Sequence, residues 1–290
     1  MSLVSPKPAP RLRSLLFAPA VRPDFLAKLP GRGADAVVID CEDATPANAK
    51  AEGRANARQY APGLADQCEV TVRVNPPATE WFADDVRDGL VPELAAVVVP
   101  KIETLDDMET VAGALDAAGL TELGVVAGIE TALGVADARR LLAHPRIIAA
   151  YFGAEDFIAD MGGVRTESNA EVAYARGAVA VAGRLGGVPV LDQVVTDFRD
   201  DERFRRETAE ARAMGYAGKL CIHPGQVALA NAGFTPTEAE VDRARRLLAA
   251  YEEANARGVA AIDFDGQMVD EPLAAQARRL LAVAPSIRET

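Results

Sequence analysis

Glu130 and Asp156 each close a short apolar run, GVVAGIE and IAAYFGAED, and two carboxylates so placed can share a hard cation such as Mg2+. Such an ion takes one or two protein carboxylates and completes its shell with water and substrate oxygens. The same residues could instead cap the helices that follow or pair with arginine, and spacing alone leaves these readings open. Arg73 lies inside the apolar run VTVRVN. A guanidinium there is costly to bury unpaired, so it should meet a carboxylate, either a ligand's or that of Glu42 or Asp43 on the neighbouring run. Asp40, Glu42 and Asp43 crowd one run's end; alternation puts Asp40 and Glu42 on one face and Asp43 near the loop. They read as helix N-terminal charge or as outer support for a metal site and Arg73. Arg11, Arg13, Arg22, Lys50 and Arg54 gather positive charge near the first two runs, enough for a phosphate-bearing ligand or simply for solvation. Lys101 closes a fourth run, a place for a Schiff-base lysine, but no apolar pocket that would depress its pKa is legible.

Residues placed in this way need a scaffold that gathers strand ends. Apolar runs at 14–19, 36–41, 69–75, 95–100, 124–130, 148–153, 188–193 and 219–223 read as strands, and nearly every one ends in a polar or charged residue. Their Val, Ile and Leu content without strict alternation suits strands covered on both faces. Helical spacing falls near 22–31, 47–60, 79–90, 104–118, 134–143, 168–185, 201–214 and 237–256. Eight such alternations predict an α/β fold, a (β/α)8 TIM barrel whose strand ends open on one face, where barrels of this kind keep their chemistry. The competing architecture is an open doubly wound sheet. That would favour a Gly-rich turn opening a helix, whereas GRG at 31–33 precedes a strand. The expected organisation is a disordered lead-in over 1–12, a barrel over 13–257 and a C-terminal arm over 258–290. In the arm a hairpin turns at Asp265-Gly266 and a short helix follows over 271–282, the whole packing on a neighbouring subunit.

Acidic residues outnumber basic ones by 43 to 31, which argues against a nucleic-acid or anionic-membrane surface. No run approaches 18 apolar residues and no signal core opens the chain, so a cytoplasmic protein is expected. Cys41, Cys68 and Cys221 lack framework spacing and read as free thiols, and with only His144 and His223 a histidine-rich zinc site is not expected.

Taken in order, RSLLFAPAVRPDF, VVIDCEDATPANAKAEGR, VRVN, VVPKIET, GIETALGV, FGAEDF, LCIHPGQV and FDGQMVD resemble the citrate lyase β-subunit family. Malyl-CoA, citramalyl-CoA and β-methylmalyl-CoA lyases are its relatives, and the likeness runs from about Arg13 to Leu281. The resemblance implies a (β/α)8 barrel using Mg2+, with Mn2+ as a substitute. Glu130 and Asp156 would be the metal ligands and touch substrate through the metal. Arg73 would hold the oxygen-bearing end of the substrate, and Glu42 and Asp43 would lie in the metal's outer shell. Arg22 and Lys50 would approach the CoA phosphates. Asp270 would be the catalytic acid/base, reaching an adjacent subunit of a homotrimer or a multiple of it. The implied activity is cleavage of a citryl, malyl or citramalyl thioester, on CoA or an acyl carrier, to an acyl thioester and oxaloacetate, glyoxylate or pyruvate. A stand-alone malyl-CoA or citramalyl-CoA lyase and a malate synthase- or thioesterase-type enzyme are the alternatives. A non-catalytic subunit assembling with carrier and transferase partners is a third, and the intact set Arg73, Glu130, Asp156 and Asp270 speaks against it. The family often has DLED where this chain has Asp40-Cys41-Glu42-Asp43, a change that keeps a small apolar group. The loop GGVRTESN after Asp156 is expected to shape the substrate pocket.

Overall fold

The computed structural model describes residues 11–284, which form two compact units, one running to Ala232 and the other starting at Gly233. Eight strands build the first: β1 (Ser14–Pro19), β2 (Ala36–Asp40), β3 (Val70–Arg73), β4 (Ala96–Val99), β5 (Val125–Ile129), β6 (Ile147–Phe152), β7 (Val190–Asp192) and β8 (Gly218–Cys221). They pair in parallel, in chain order, and β8 closes onto β1. The closed (β/α)8 barrel is therefore present and the open sheet is excluded. Alternate residues fill its interior: Leu15, Val38, Val98, Val126, Tyr151, Leu191 and Leu220 belong to one buried cluster. The residues between them, among them Val37, Ile39, Val97 and Val99, are buried as well, on the side that faces the helices. Both faces are apolar, which is why these runs do not alternate in sequence.

Local chemistry sets the turns into helices at the strand ends. Thr131 caps the helix Ala132–Leu141 by accepting from the Gly134 N–H, so the chain becomes helical two residues after Glu130. Thr104 and Asp107 form a reciprocal capping box on the helix Leu105–Ala117. The segment expected as one helix over 22–31 is broken into Pro23–Leu26 and a short turn Pro30–Arg32, ended by Gly33 in the left-handed region. A further helix, Pro224–Gly233, follows β8 where the sequence reading placed none.

Asp192 and Lys219 point away from the barrel interior. They join Arg176 and Glu207 in a buried ionic layer, with Lys219 Nζ 2.6 Å from Asp192 and 3.5 Å from Glu207. Burial alone would raise the Glu207 carboxyl. The Lys219 charge and hydrogen bonds from Arg203, Asn169 and Gln193 outweigh it and bring the group down to about 2.

In the second unit the helix Glu238–Ala256 packs with a hairpin and a last helix, Glu271–Val283, around Ala244, Leu247, Tyr251, Val269, Ala274 and Ala277. The strands are β9 (Ile262–Phe264) and β10 (Gln267–Val269), antiparallel. Asp265 and Gly266, with φ of 53° and 76°, make the expected turn. Two expected boundaries move. The helix over 237–256, assigned from its spacing to the barrel, lies in this second unit, because its apolar stripe is buried by the hairpin and last helix. The lead-in is expected over 1–12; residues 1–10 lie outside the described residues, and Leu12 is buried in the barrel's interior cluster, so the folded chain starts before residue 13. The three cysteines are free thiols. No helix among the described residues is long and apolar enough to cross a membrane.

Candidate active site

A cavity of about 400 Å³ opens at the C-terminal ends of the barrel strands, lined by Phe17, Asp40, Asp43, Arg73, Glu130, Tyr151, Asp156 and Ile222 among others. Arg73 ends β3 directly opposite Asp40, its register partner on β2. Its Nε and Nη2 donate to the two carboxylate oxygens of Asp40 at 2.7 and 2.6 Å, and Nη1 lies 2.8 Å from Glu42 Oε2. The Phe17 ring lies 5.1 Å from the guanidinium. Burial opposes the charge on Arg73, but Asp40, Tyr151 and Glu42 outweigh it and hold the group firmly protonated. Of the two protein partners expected, Glu42 is present and Asp43 is not. Asp40, which the sequence reading gave only a supporting place, takes the bidentate fork.

Glu130 lies just past β5, with 2% of its surface exposed. Its Oε1 accepts from the Tyr151 hydroxyl at 3.0 Å and from the Lys101 backbone N–H at 2.9 Å. Two glycines make room for it. A Cβ on Gly128 would stand 2.7 Å from Glu130 Oε1, and one on Gly153 would collide with Glu130 Oε2 and Cβ. Burial, with Asp156 and Glu42 nearby, pushes the Glu130 carboxyl up to about 7 against the opposing charges of Lys101 and Arg73. Asp156 lies in the first turn of the helix Ala154–Asp160, at the cavity wall and 3.2 Å from Lys101 Nζ.

Lys101 adopts a left-handed backbone, φ 52°, a conformation that costs a residue with a Cβ about 1–2 kcal/mol. Its ammonium lies 2.6 Å from Glu42 Oε1 and 3.7 Å from Asp43 Oδ2. Burial lowers its pKa, but Glu130, Glu42 and Asp156 together raise it well above the ordinary lysine value. A Schiff-base lysine needs the reverse, so that reading does not fit. Glu42 is buried; burial pushes its pKa up against the charges of Arg73 and Lys101, and its Oε2 accepts no hydrogen bond despite facing Arg73. Asp43 is mostly exposed on the rim.

The basic residues offered for phosphate behave differently from one another. Lys50 is buried and donates to the carbonyls of Cys41 and Glu42 at 2.9 and 2.8 Å, so its ammonium holds the β2 loop. Arg22 is half exposed, paired with Asp24 and stacked 3.9 Å over Phe25. Asp270 belongs to the second unit. It is the N-cap of the helix Glu271–Val283, yet its side chain makes no capping hydrogen bond.

Among the described residues no group of three or more His, Cys, Asp or Glu side chains is arranged to hold a metal. A magnesium site needs fewer. The donors that fit are Glu130 and Asp156, all-oxygen and lining one cavity, and a divalent cation would offset the burial and the like charges of Asp156 and Glu42 that raise the Glu130 carboxyl. Tyr151 was not singled out in the sequence. It sits in an apolar run, and only its spacing of two from Gly153 marks it as inward-facing.

The profile of the HpcH/HpaI aldolase/citrate lyase family matches residues 13–224. A citrate lyase subunit beta-like protein of Deinococcus radiodurans is 51% identical over 280 residues, covering 95% of this chain and 98% of its own. A (3S)-malyl-CoA thioesterase of Cereibacter sphaeroides is 33% identical over 277 residues, covering 95% of each chain. The crystal structure of CitE from Mycobacterium tuberculosis, in complex with magnesium, acetoacetate and coenzyme A, superposes with a TM-score of 0.80 at 30% identity, covering 96% of this chain and 98% of that one. With all eight barrel strands, Glu130 and Asp156 inside the matched span, this chain belongs to the HpcH/HpaI aldolase/citrate lyase family.

Proposed function

We propose that this chain is a Mg2+-dependent carbon–carbon lyase that cleaves a β-hydroxyacyl thioester of citryl, malyl or citramalyl type to an acyl thioester and an oxoacid. The observation that carries this reading is the Glu130 carboxylate, raised by burial and by Asp156 and Glu42 and lining the same cavity as Asp156, with the fixed charge of Arg73 beside them. The magnesium, acetoacetate and coenzyme A held by the CitE structure support it.

Glu130 and Asp156 hold the metal in this account. When bound, Mg2+ supplies Lewis acidity toward the hydroxyl and the adjacent carboxylate of the acid portion. Tyr151 and the Lys101 N–H keep Oε1 of Glu130 engaged, which fixes the direction of the carboxylate. Arg73, locked by Asp40, adds positive charge where the oxoacid oxygens gain electron density, with no reorganisation needed at the moment of reaction. The hydroxyl gives its proton to solvent and its oxygen becomes the oxoacid carbonyl as the carbon–carbon bond breaks, and the electron pair of that bond passes to the thioester fragment as an enolate. Asp270 from a neighbouring copy, free of any capping duty, donates the proton this carbon takes up. On this reading the enzyme is a homo-oligomer, a trimer or a multiple of it, and acts in the cytoplasm on CoA or carrier-bound thioesters. Arg22, half exposed, is the more accessible of the two candidates for the CoA phosphates.

The malyl-CoA thioesterase relative favours a second reading, hydrolysis of the thioester itself. One experiment separates them: purified protein with Mg2+ and citryl-, malyl- and citramalyl-CoA, followed for oxoacid and for free thiol. Oxoacid released without free thiol supports the lyase. Thiol with intact hydroxy acid supports the hydrolase, and no turnover of any member contradicts both.

A further inference from the structure

Lys101 sets an ammonium among carboxylates from two sides of the barrel mouth. Glu42 Oε1 at 2.6 Å and Asp43 Oδ2 at 3.7 Å come from the loop after β2, and Asp156 Oδ1 at 3.2 Å comes from the helix after β6. The other cation of this cluster, Arg73, has its fork engaged by Asp40. Lys101 lies beyond the last residue of β4 in a left-handed conformation, and the same residue turns its N–H onto Glu130. Its side chain is partly exposed, and a lysine stem can swing without the backbone moving.

We propose that Lys101 is the resident cation of this site. Its ammonium neutralises Glu42 and Asp156 while no divalent ion is bound and leaves Asp156 when one binds, so that metal loading is an exchange of cations. The inference rests on the reading of Glu130 and Asp156 as metal ligands. An ammonium and a divalent ion on one carboxylate repel strongly at these distances, more than a single orienting contact can offset. Lys101 is thus a positioning residue that holds the metal-free site together, and its charge opposes the metal.

The test uses Mn2+ as a probe, with free ion counted by electron paramagnetic resonance. Lys101→Met should bind Mn2+ at least about tenfold more tightly than the parent, because a competing charge is gone. It should also melt earlier in EDTA and gain more on metal addition than the parent does. Lys101→Arg, which keeps a cation, should not gain affinity. Unchanged or weaker Mn2+ binding by a folded Lys101→Met variant would overturn the inference alone. A parent protein that binds no Mn2+, or binds it equally well after Glu130→Gln, would overturn the metal reading and this inference with it. The parent protein supplies a second readout that does not depend on a variant folding. Acetylation of the Lys101 amine, followed by mass spectrometry, should rise when Mg2+ is added; equal or lower labelling would overturn the exchange.

Discussion

Arg73 holds both oxygens of Asp40, Nε at 2.7 Å and Nη2 at 2.6 Å, across the β2–β3 pair in which the two are register partners. The bidentate face that would suit a ligand carboxylate is therefore occupied from within the barrel wall. What Arg73 offers the cavity is a charge whose position is fixed.

Arg73→Lys keeps that charge and loses the fork. Turnover should fall by about 10²- to 10³-fold, as for loss of one donor to a developing oxyanion. Stability should fall only modestly, because the lysine still neutralises Asp40. Thioester turnover and urea unfolding measure the two effects. A variant that unfolds while its folded fraction keeps full activity would make Arg73 a purely structural ion-pair member.

Gly153→Ala should act on Glu130 without touching any charge. The new methyl carbon would collide with the Glu130 carboxylate, so Mg2+ affinity and activity should both drop while circular dichroism stays unchanged. Gly63→Ala is the control. It lies inside the helix Lys50–Ala65 with nothing within 4 Å of its added Cβ, and should stabilise by about 0.5–1 kcal/mol. A Gly153→Ala variant with parental Mg2+ affinity would mean that Glu130 does not need this space.

The Glu207 carboxyl, brought down to about 2 from 4.5, gives the acid limb of stability a defined cause. A depressed carboxyl contributes stability that is complete above the unfolded value and is lost as pH falls through the folded one. Its share should therefore disappear between pH 4.5 and about 2. Glu207→Gln should flatten the pH dependence of urea unfolding in that window. An unaltered slope would mean that other carboxylates carry it.

Asp270→Ala should leave Mg2+ binding intact and slow turnover by about 10²- to 10⁴-fold, the usual worth of a proton donor. Mixing it with an Arg73→Ala variant should restore part of the activity, since some sites would combine an intact barrel with an intact arm from a neighbour. Confirmed subunit exchange without recovery would place Asp270 within its own subunit's site or outside catalysis.

The barrel was legible because its eight apolar runs are covered on both faces and end in polar residues. Glu130, Asp156, Glu42 and Arg73 were legible because each is an exception to an apolar context or stands at its edge. Asp40 was undervalued: three acids in four positions look alike, and only strand register singles out the one that Arg73 meets. The place of Lys50 was not legible in full, since helical spacing says where a residue lies on its helix but not that its ammonium turns back onto two carbonyls. The helix Glu238–Ala256 shows a similar limit. Its apolar stripe is plain in sequence, while the surface that buries it, Val269, Ala274 and Ala277, lies farther along the chain.

Calorimetric titration of Mg2+ decides whether Glu130 and Asp156 hold the ion that drives cleavage. Glu130→Gln and Asp156→Asn each replace a charged oxygen ligand with a weak neutral one. Both variants should keep the fold, lose measurable Mg2+ affinity and lose oxoacid release together. Parental Mg2+ affinity in both folded variants would contradict the account.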